Sequence, residues 1–229
     1  FLDTRFESLI SREWLRANAR VRLFGTSSTL PLALALTQSN SKEFNDLPHL
    51  VVVPTVQDAW RFVQNLQFFD SQQNCSVLPH FDVSPYSGLY PKNQIIADRM
   101  RFLFEAGRAG PTSIFVAPVE ALLQKTLPFQ ALASRTLTLR KNFDLPENIH
   151  DLLNDWGYLA TPMVEDVGQY SVRGGILDIF SPAHSSPLRI ELFGDTIESL
   201  RRFSTADQRS TDETSEAFII PCREVIWND

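Results

Sequence analysis

The stretch Leu188-Arg-Ile-Glu-Leu-Phe193 is followed by the pair Gly194-Asp195 and by the run Thr196-Ile-Glu-Ser-Leu-Arg-Arg-Phe203. Apolar and polar residues alternate in the first run, as they do in a strand that buries one face. Glycine and aspartate are favoured in the tight turns that join antiparallel strands. We therefore predict a β-hairpin over residues 188–203.

Alternation along the first strand separates two sets of side chains. One set is apolar and predicts a core face: Leu188, Ile190, Leu192. The other set combines a cation, an anion and an aromatic ring: Arg189, Glu191, Phe193. Two interpretations remain open. Arg189 and Glu191 pair with each other while Phe193 folds into a minor core, or the three residues form a protein-binding patch, since arginine and aromatic residues are common interface hot spots.

A second hairpin is predicted just before the first, over Gln169–Phe180. The pair Gly174-Gly175 in its middle indicates a bulge or a close backbone approach. Arg173 precedes these glycines, so its direction stays open. If it shares the face of Arg189, both arginines would meet acidic groups of a partner.

Upstream of the hairpins, residues 21–140 alternate between short apolar runs and helical patterns. The apolar runs are Val21–Phe24, Leu50–Val53, Val77–Leu78 and Ser113–Ala117. The helical patterns are Leu30–Leu36, Val56–Phe69, Ile95–Glu105 and Val119–Lys125. Strands that alternate with helices and are apolar throughout predict a parallel sheet covered on both faces.

These patterns predict an α/β fold with two domains. Residues 1–130 would form the domain with the parallel sheet, and residues 131–212 a smaller α+β domain with an antiparallel sheet. Residues 213–229 would be a linker and a segment returning to the first domain. We also predict one helix over Asn142–Asp155, a polar linker over Gln208–Glu216, and a strand starting at Phe218.

Composition narrows the class of protein. The chain has 229 residues, 43% of them hydrophobic, and a formal net charge of −6. The hydrophobic content is typical of a folded protein. The negative net charge argues against DNA binding driven by the overall charge of the chain. Two cysteines give no disulfide framework, and no apolar run approaches the roughly 18 residues of a membrane span. We expect a cytoplasmic protein with no membrane partner, and the absent initiator methionine suggests a piece of a longer chain.

A phosphate-binding P-loop would lie after the first apolar run. The motif requires two glycines, a lysine and a hydroxyl, which contact phosphate and Mg²⁺. Gly25 supplies the first glycine, but Leu30, Pro31 and Leu32 replace the other three positions. The sequence therefore predicts a degenerate, non-functional phosphate loop. An alternative is a nucleotide-binding, helicase-like fragment with an unconventional loop.

Other functional patterns are weak. The four histidines (His49, His80, His150 and His184) are isolated and show no metal-ligand spacing. We predict no catalytic residue, metal or cofactor. A stripe of arginines lies at helical spacing: Arg12, Arg16 and Arg20. A solvated helix face explains it most simply, and a DNA-binding module remains an alternative.

Residues 169–203 form the block of sequence that most specifically resembles a known family. This block includes Tyr170-Ser-Val-Arg-Gly-Gly-Ile-Leu-Asp-Ile-Phe180. Further matching stretches are Leu78–Asp82, Ile95–Arg101 and Val116–Leu123. In these stretches the chain resembles the bacterial transcription-repair coupling factors, the Mfd family.

The resemblance implies a module similar to the damage-recognition helicase UvrB. A degenerate P-loop, RecA-like domain (1a) would be followed by domain 2, which recruits the excinuclease subunit UvrA, and by the start of segment 1b. The family's UvrA-contacting arginines fall on Arg173 and Arg189, its aromatic on Phe193, and an acidic residue on Glu191. The module itself would be non-catalytic and cofactor-free. RNA polymerase, DNA and the ATP-driven translocase would belong to other parts of the full-length protein.

Two features depart from UvrB. Ser171 stands where UvrB carries a further arginine, which bears on the strength of the contact. The segment Pro85–Asn93 is too short for the hairpin with which UvrB clamps DNA. We therefore expect Tyr86 and Tyr90 to be packed turn residues that do not stack on bases.

Overall fold

The computed structural model describes residues 48–71, 73, 75–84, 86–110 and 113–224. Within these ranges the chain has a mixed α/β architecture with three sheets. One sheet has three strands, one has six and one has two.

The three-stranded sheet is parallel, as predicted. Its strands are β1 (His49–Val53), β2 (Cys75–Val77) and β3 (Ile114–Pro118), in the order β1-β3-β2. Four helices accompany this part of the chain: α1 (Val56–Phe69), α2 (Asn93–Gly107), α3 (Val119–Leu122) and α4 (Phe129–Ala133). The three predicted apolar runs and the three predicted helices that fall in the described residues are therefore confirmed, with small shifts at their ends.

Both faces of the central strand β3 are covered. Phe62 of α1 is buried with Val116 on one face, and Phe102 of α2 meets Phe115 edge-to-face on the other. Among the described residues β1 is an edge strand, and Leu50 and Val52 on one of its faces are exposed. The prediction of a sheet covered on both faces is therefore confirmed for the centre. At β1 it stays a prediction, because residues 1–47 are not described.

The six-stranded sheet contains both predicted hairpins. Its strands are β5 (Leu159–Ala160), β6 (Gln169–Arg173), β7 (Ile176–Ile179), β8 (Leu188–Phe193), β9 (Thr196–Phe203) and β10 (Ser210–Glu213). They lie in the order β10-β9-β8-β7-β6-β5. Neighbours are antiparallel except for the short β5–β6 pair.

The remaining two strands, β4 (Leu137–Arg140) and β11 (Glu216–Ile219), pair antiparallel, and helix α5 spans Ile149–Asp155. They share one apolar core with the six-stranded sheet, formed by residues such as Leu139, Trp156, Leu177, Ile190 and Ile219. Burial of these side chains is the main stabilising contribution of this region.

The end of the described chain returns to the helices of the parallel sheet. Ile220 lies in one buried cluster with Met100 and Phe104 of α2. The strand predicted at Phe218 is β11, although it pairs with β4 before the chain reaches α2. The predicted domain boundaries at residues 130 and 212 stay predictions.

Arg99 of α2 binds the returning segment, residues 220–224, through an ion pair. Its guanidinium is fully buried and pairs with the Glu224 carboxylate. It also donates to the carbonyl of Pro79 at 2.7 Å and to Oε1 of Gln124 at 3.2 Å, and it lies 4.1 Å from the centre of the Phe81 ring. A buried arginine needs such partners, because an unpaired buried charge is strongly unfavourable.

Two predicted segments are wrong. The helix expected over Asn142–Asp155 begins only at Ile149, because Asn142 has a positive φ of 67° and Pro146 lacks the N–H that a helix interior requires. The expected linker at Gln208–Glu216 contains β10, whose four residues are all exposed on the edge of the sheet. A strand that buries neither face has no apolar alternation to show in its sequence.

Several sequence expectations lie outside the described residues. They are the predicted strand Val21–Phe24, the predicted helix Leu30–Leu36, the degenerate loop at Gly25, Leu30, Pro31 and Leu32, and the arginine stripe at Arg12, Arg16 and Arg20. The structure therefore contains a parallel sheet and does not establish a P-loop domain. Among the helices in the described ranges, none has the length and apolar character needed to cross a lipid bilayer.

Candidate site: a polar face on the antiparallel sheet

The predicted binding residues lie on one face of the six-stranded sheet. Strand pairing places Asp178 of β7 opposite Arg189 of β8, and Arg189 opposite Arg201 of β9. Alternate residues of a strand point to opposite faces, so these side chains lie away from the core that contains Leu177 and Ile190. We call the set Arg173, Asp178, Arg189, Glu191 and Arg201 the polar face.

Asp178 is the centre of the polar face. Its side chain is fully buried, and its two oxygens accept hydrogen bonds from two arginines. Arg189 donates from Nε to Oδ1 at 2.8 Å and from Nη2 to Oδ2 at 2.9 Å. Arg173 donates from Nη2 to Oδ2 at 2.7 Å. Paired guanidinium groups offset the large cost of burying an ionised carboxylate.

Arg189 is held on several sides. Its side chain is only 16% exposed, and its Nη1 donates to the backbone carbonyl of Gln208 at 3.1 Å. Its guanidinium carbon lies 4.7 Å from the centre of the Phe203 ring. The hydrogen bonds to Asp178 raise the pKa of Arg189 above its ordinary value, so the group stays charged.

Arg173 shares the face of Arg189, which the sequence left open. Its side chain is 53% exposed, although one nitrogen is bound to Asp178. The glycines that follow explain its position. Gly174 adopts φ +60° in the two-residue turn, and a Cβ on Gly175 would lie 2.8 Å from the Leu192 carbonyl oxygen. The predicted close backbone approach is therefore confirmed.

Glu191 pairs with neighbours on β9. Its Oε2 accepts a hydrogen bond from the Ser199 hydroxyl at 2.6 Å, and its Oε1 lies 3.7 Å from Nη1 of Arg201. Arg189 makes its ion pair with Asp178. The interpretation that Arg189 and Glu191 form one surface pair is therefore wrong.

Phe193 stands at the end of β8 beside the turn at Gly194. Its side chain is 78% exposed, so the interpretation that it folds into a minor core is wrong. The register of β8 against β9 shifts between Glu191 and Leu192, where Glu198 of β9 is left without a partner on β8. Phe193 lies at the same edge of the sheet as Arg173, because β6 and β8 both run antiparallel to β7. Exposed aromatic rings and arginines on one surface are typical of protein-binding sites.

The charges of the polar face do not cancel. Arg173, Arg189 and Arg201 supply three cations, whereas Asp178 and Glu191 supply two anions. The face therefore carries one net positive charge, on the same sheet as the exposed Phe193 ring. This arrangement suits a partner that offers a carboxylate and an apolar pocket.

Sequence reasoning missed two residues of this arrangement, Asp178 and Gln208. Asp178 interrupts the apolar run Ile176-Leu-Asp-Ile179, and an aspartate in a buried strand signals a nearby cation. The backbone carbonyl of Gln208 carried no sequence signal, because any residue supplies one. Its partner Arg189 lies 19 positions away along the chain.

Among the described residues, the other candidates do not form a second site. His184 accepts a hydrogen bond from the Phe218 N–H and is structural. Tyr86 and Tyr90 are almost fully exposed, so the expectation that they pack in a turn is wrong. In the part of the chain that the structure describes, no cluster of three histidine, cysteine or acidic residues could hold a metal ion.

Comparison with known proteins agrees with the resemblance noted in the sequence. Residues 136–224 match the UvrB interaction domain, and this match contains the whole polar face. Over 155 residues, 66% of this chain, the identity with a transcription-repair-coupling factor of Myxococcus xanthus is 40%. Corresponding proteins of Haemophilus influenzae and Mycobacterium bovis are 33% and 30% identical over 88% and 98% of the chain.

The chain spans only 13–18% of the length of these three relatives. The match therefore concerns one section of a much longer protein. Within that limit, the chain is a member of the transcription-repair-coupling factor family and carries a UvrB interaction domain at residues 136–224.

Proposed function

We propose that the chain is the UvrB-like recruitment module of a transcription-repair coupling factor, and that its polar face and Phe193 bind UvrA. The observation that carries the proposal is the exposure of Phe193, 78%, and of Arg173, 53%. Both residues end strands that run antiparallel to β7, so they lie at the same edge of the sheet. The match to the UvrB interaction domain supports it, because that match covers both residues.

The proposed module acts by binding and performs no chemistry of its own. It would bring UvrA to a stalled transcription complex, while RNA polymerase, DNA and ATP would be handled by other parts of the full-length protein. The affinity would come from a few side chains, since a small share of interface residues carries most binding energy. Phe193 offers apolar area, and Arg173 offers charge-assisted hydrogen bonds.

Phe193→Ala tests this function. Burying a phenylalanine side chain contributes about 1.5–3 kcal/mol, so we expect UvrA affinity to fall by roughly ten- to a hundredfold. The free chain should keep its stability, because Phe193 is exposed before binding. Isothermal titration of the purified chain with UvrA gives the affinity, and thermal unfolding gives the stability.

Phe68→Ala is the matched control. Phe68 is also an exposed phenylalanine, at 83%, but it lies at the end of α1 beside the parallel sheet. Its removal should leave UvrA binding unchanged. Equal affinities of wild type and Phe193→Ala, or equal losses in the two variants, would contradict the proposed surface.

A further inference from the structure

The buried carboxylate beneath the two arginines has no role in the contacts proposed so far. Asp178 is fully buried and therefore cannot itself touch a partner. We infer that Asp178 is the positioning residue of the docking surface and fixes the guanidinium groups of Arg173 and Arg189 in one arrangement. The inference rests on the proposed function, because it concerns the same surface.

Arg189 is the rigid member of this arrangement. Three of its five N–H groups are engaged, two by Asp178 and one by the Gln208 carbonyl. Its two hydrogen bonds to Asp178 form a bidentate pair, which fixes the plane of the guanidinium as well as its position. The Phe203 ring lies against it, so little rotational freedom remains.

Arg173 is the accessible member. One of its N–H groups donates to Asp178, and its side chain is 53% exposed. This single bond orients an otherwise flexible side chain before any partner arrives. Immobilising a side chain with many rotamers is unfavourable on binding, and an arginine that is already oriented loses less of this freedom.

The carboxylate also sets the charge presented to the partner. Asp178 neutralises one of the two arginines, so the group of three carries one net positive charge. The chemistry that this charge fits best is a single carboxylate of the partner, accepted by the remaining N–H groups of Arg173. The surface therefore recognises an acidic side chain next to an apolar pocket.

Asp178→Asn tests the positioning role. It removes the charge and one acceptor while keeping the shape of the side chain. We expect UvrA affinity to fall about tenfold, because both guanidinium groups lose their fixed orientation. The binding is measured by isothermal titration of the whole 229-residue chain. It is carried out at a temperature where circular dichroism shows each variant to be folded.

A double-mutant cycle with Arg173→Ala separates positioning from general destabilisation. If Asp178 acts through Arg173, the loss caused by Asp178→Asn should shrink to less than about threefold when Arg173 is already absent. A merely structural effect would stay near tenfold in both backgrounds, and that result would overturn the inference.

Tyr158→Phe is the control for the loss of a buried polar contact. Tyr158 is buried in the core beneath the same sheet, where its hydroxyl donates to the Ile220 carbonyl at 2.7 Å. Its removal should leave UvrA affinity unchanged. A tenfold loss in this variant would assign the effect of Asp178→Asn to destabilisation of the sheet and overturn the inference.

If Asp178→Asn does not fold, Arg189→Lys tests whether the bidentate pair with Asp178 is needed for binding. Lysine keeps the charge but loses the bidentate geometry, so we expect affinity to fall several-fold. Wild-type affinity of Arg189→Lys or of folded Asp178→Asn would overturn the inference. Phe193→Ala, measured in parallel, separates the positioning role of Asp178 from the proposed function. If only Phe193→Ala binds UvrA more weakly, the proposed function stands and the positioning role is refuted. If no variant binds UvrA more weakly, both are refuted.

Discussion

Replacing Arg99 by methionine tests how the returning segment is fastened to α2. Methionine keeps much of the volume but removes every hydrogen bond of the guanidinium. Glu224, whose side chain is only 7% exposed, would then be a buried carboxylate without its cation. Breaking a buried pair by removing one partner costs about 3–5 kcal/mol, and the lost contacts to Pro79 and Gln124 add to that cost.

Urea unfolding of the purified chain measures this change. Domains are stable by only about 5–15 kcal/mol, so Arg99→Met should remove a large part of the total. With a slope of roughly 2 kcal/mol per molar urea, the midpoint should fall by about 1.5–2.5 M. The matched control is Arg61→Met, because Arg61 forms an exposed pair with Asp58 and should change stability by less than about 0.5 kcal/mol.

A second substitution tests whether the uncompensated Glu224 charge causes the loss of stability in Arg99→Met. Adding Glu224→Gln to Arg99→Met removes the uncompensated charge, so part of the lost stability should return. A loss below about 1 kcal/mol in Arg99→Met would refute the reasoning, as would a loss of equal size in Arg61→Met.

Two further predictions concern stability. Burial lowers the pKa of His184 to about 4, so the unfolded chain binds a proton that the folded chain excludes. The free energy of unfolding should therefore fall by about 2 kcal/mol as the pH drops from 7 to 4.5. In His184→Gln, urea unfolding at the two pH values should show a decrease that is smaller by this amount. A variant with an unchanged pH profile would contradict this. Gly175→Ala places a Cβ 2.8 Å from the Leu192 carbonyl oxygen and should cost roughly 1–3 kcal/mol in thermal unfolding. Gly110→Ala, which meets open space, is its control, and equal effects would refute the steric argument.

The hairpins could be predicted because their local signals agree. The alternation in β8 and the pair Gly194-Asp195 both indicate the same antiparallel turn, and the structure contains it. Alternation also identified the two faces of β8, since this depends on the strand alone.

The partners of the charged residues could not be predicted in the same way. Arg189 meets Asp178 because β7 and β8 pair in one register, and the sequence of either strand does not specify that register. Proximity along the chain therefore favours Glu191 as the partner of Arg189. It pairs with residues of β9.

The helix expected over residues 142–155 shows a conflict between periodicity and local backbone chemistry. Its leucines have helical spacing, but Pro146 excludes a helix interior and Asp144 pairs with Thr196 of β9. Pro146 therefore limits the helix to the residues that follow it. The extended segment before α5 adds contacts to the sheet that carries the polar face.

Hydrogen exchange of the chain with and without UvrA tests the central claim most directly. If the polar face and Phe193 form the docking surface, amides of residues 169–180 and 188–203 should exchange more slowly in the complex. Amides of α2, at residues 93–107, should be unaffected. Protection confined to α2 or to the parallel sheet, with none in the two hairpins, would contradict the account.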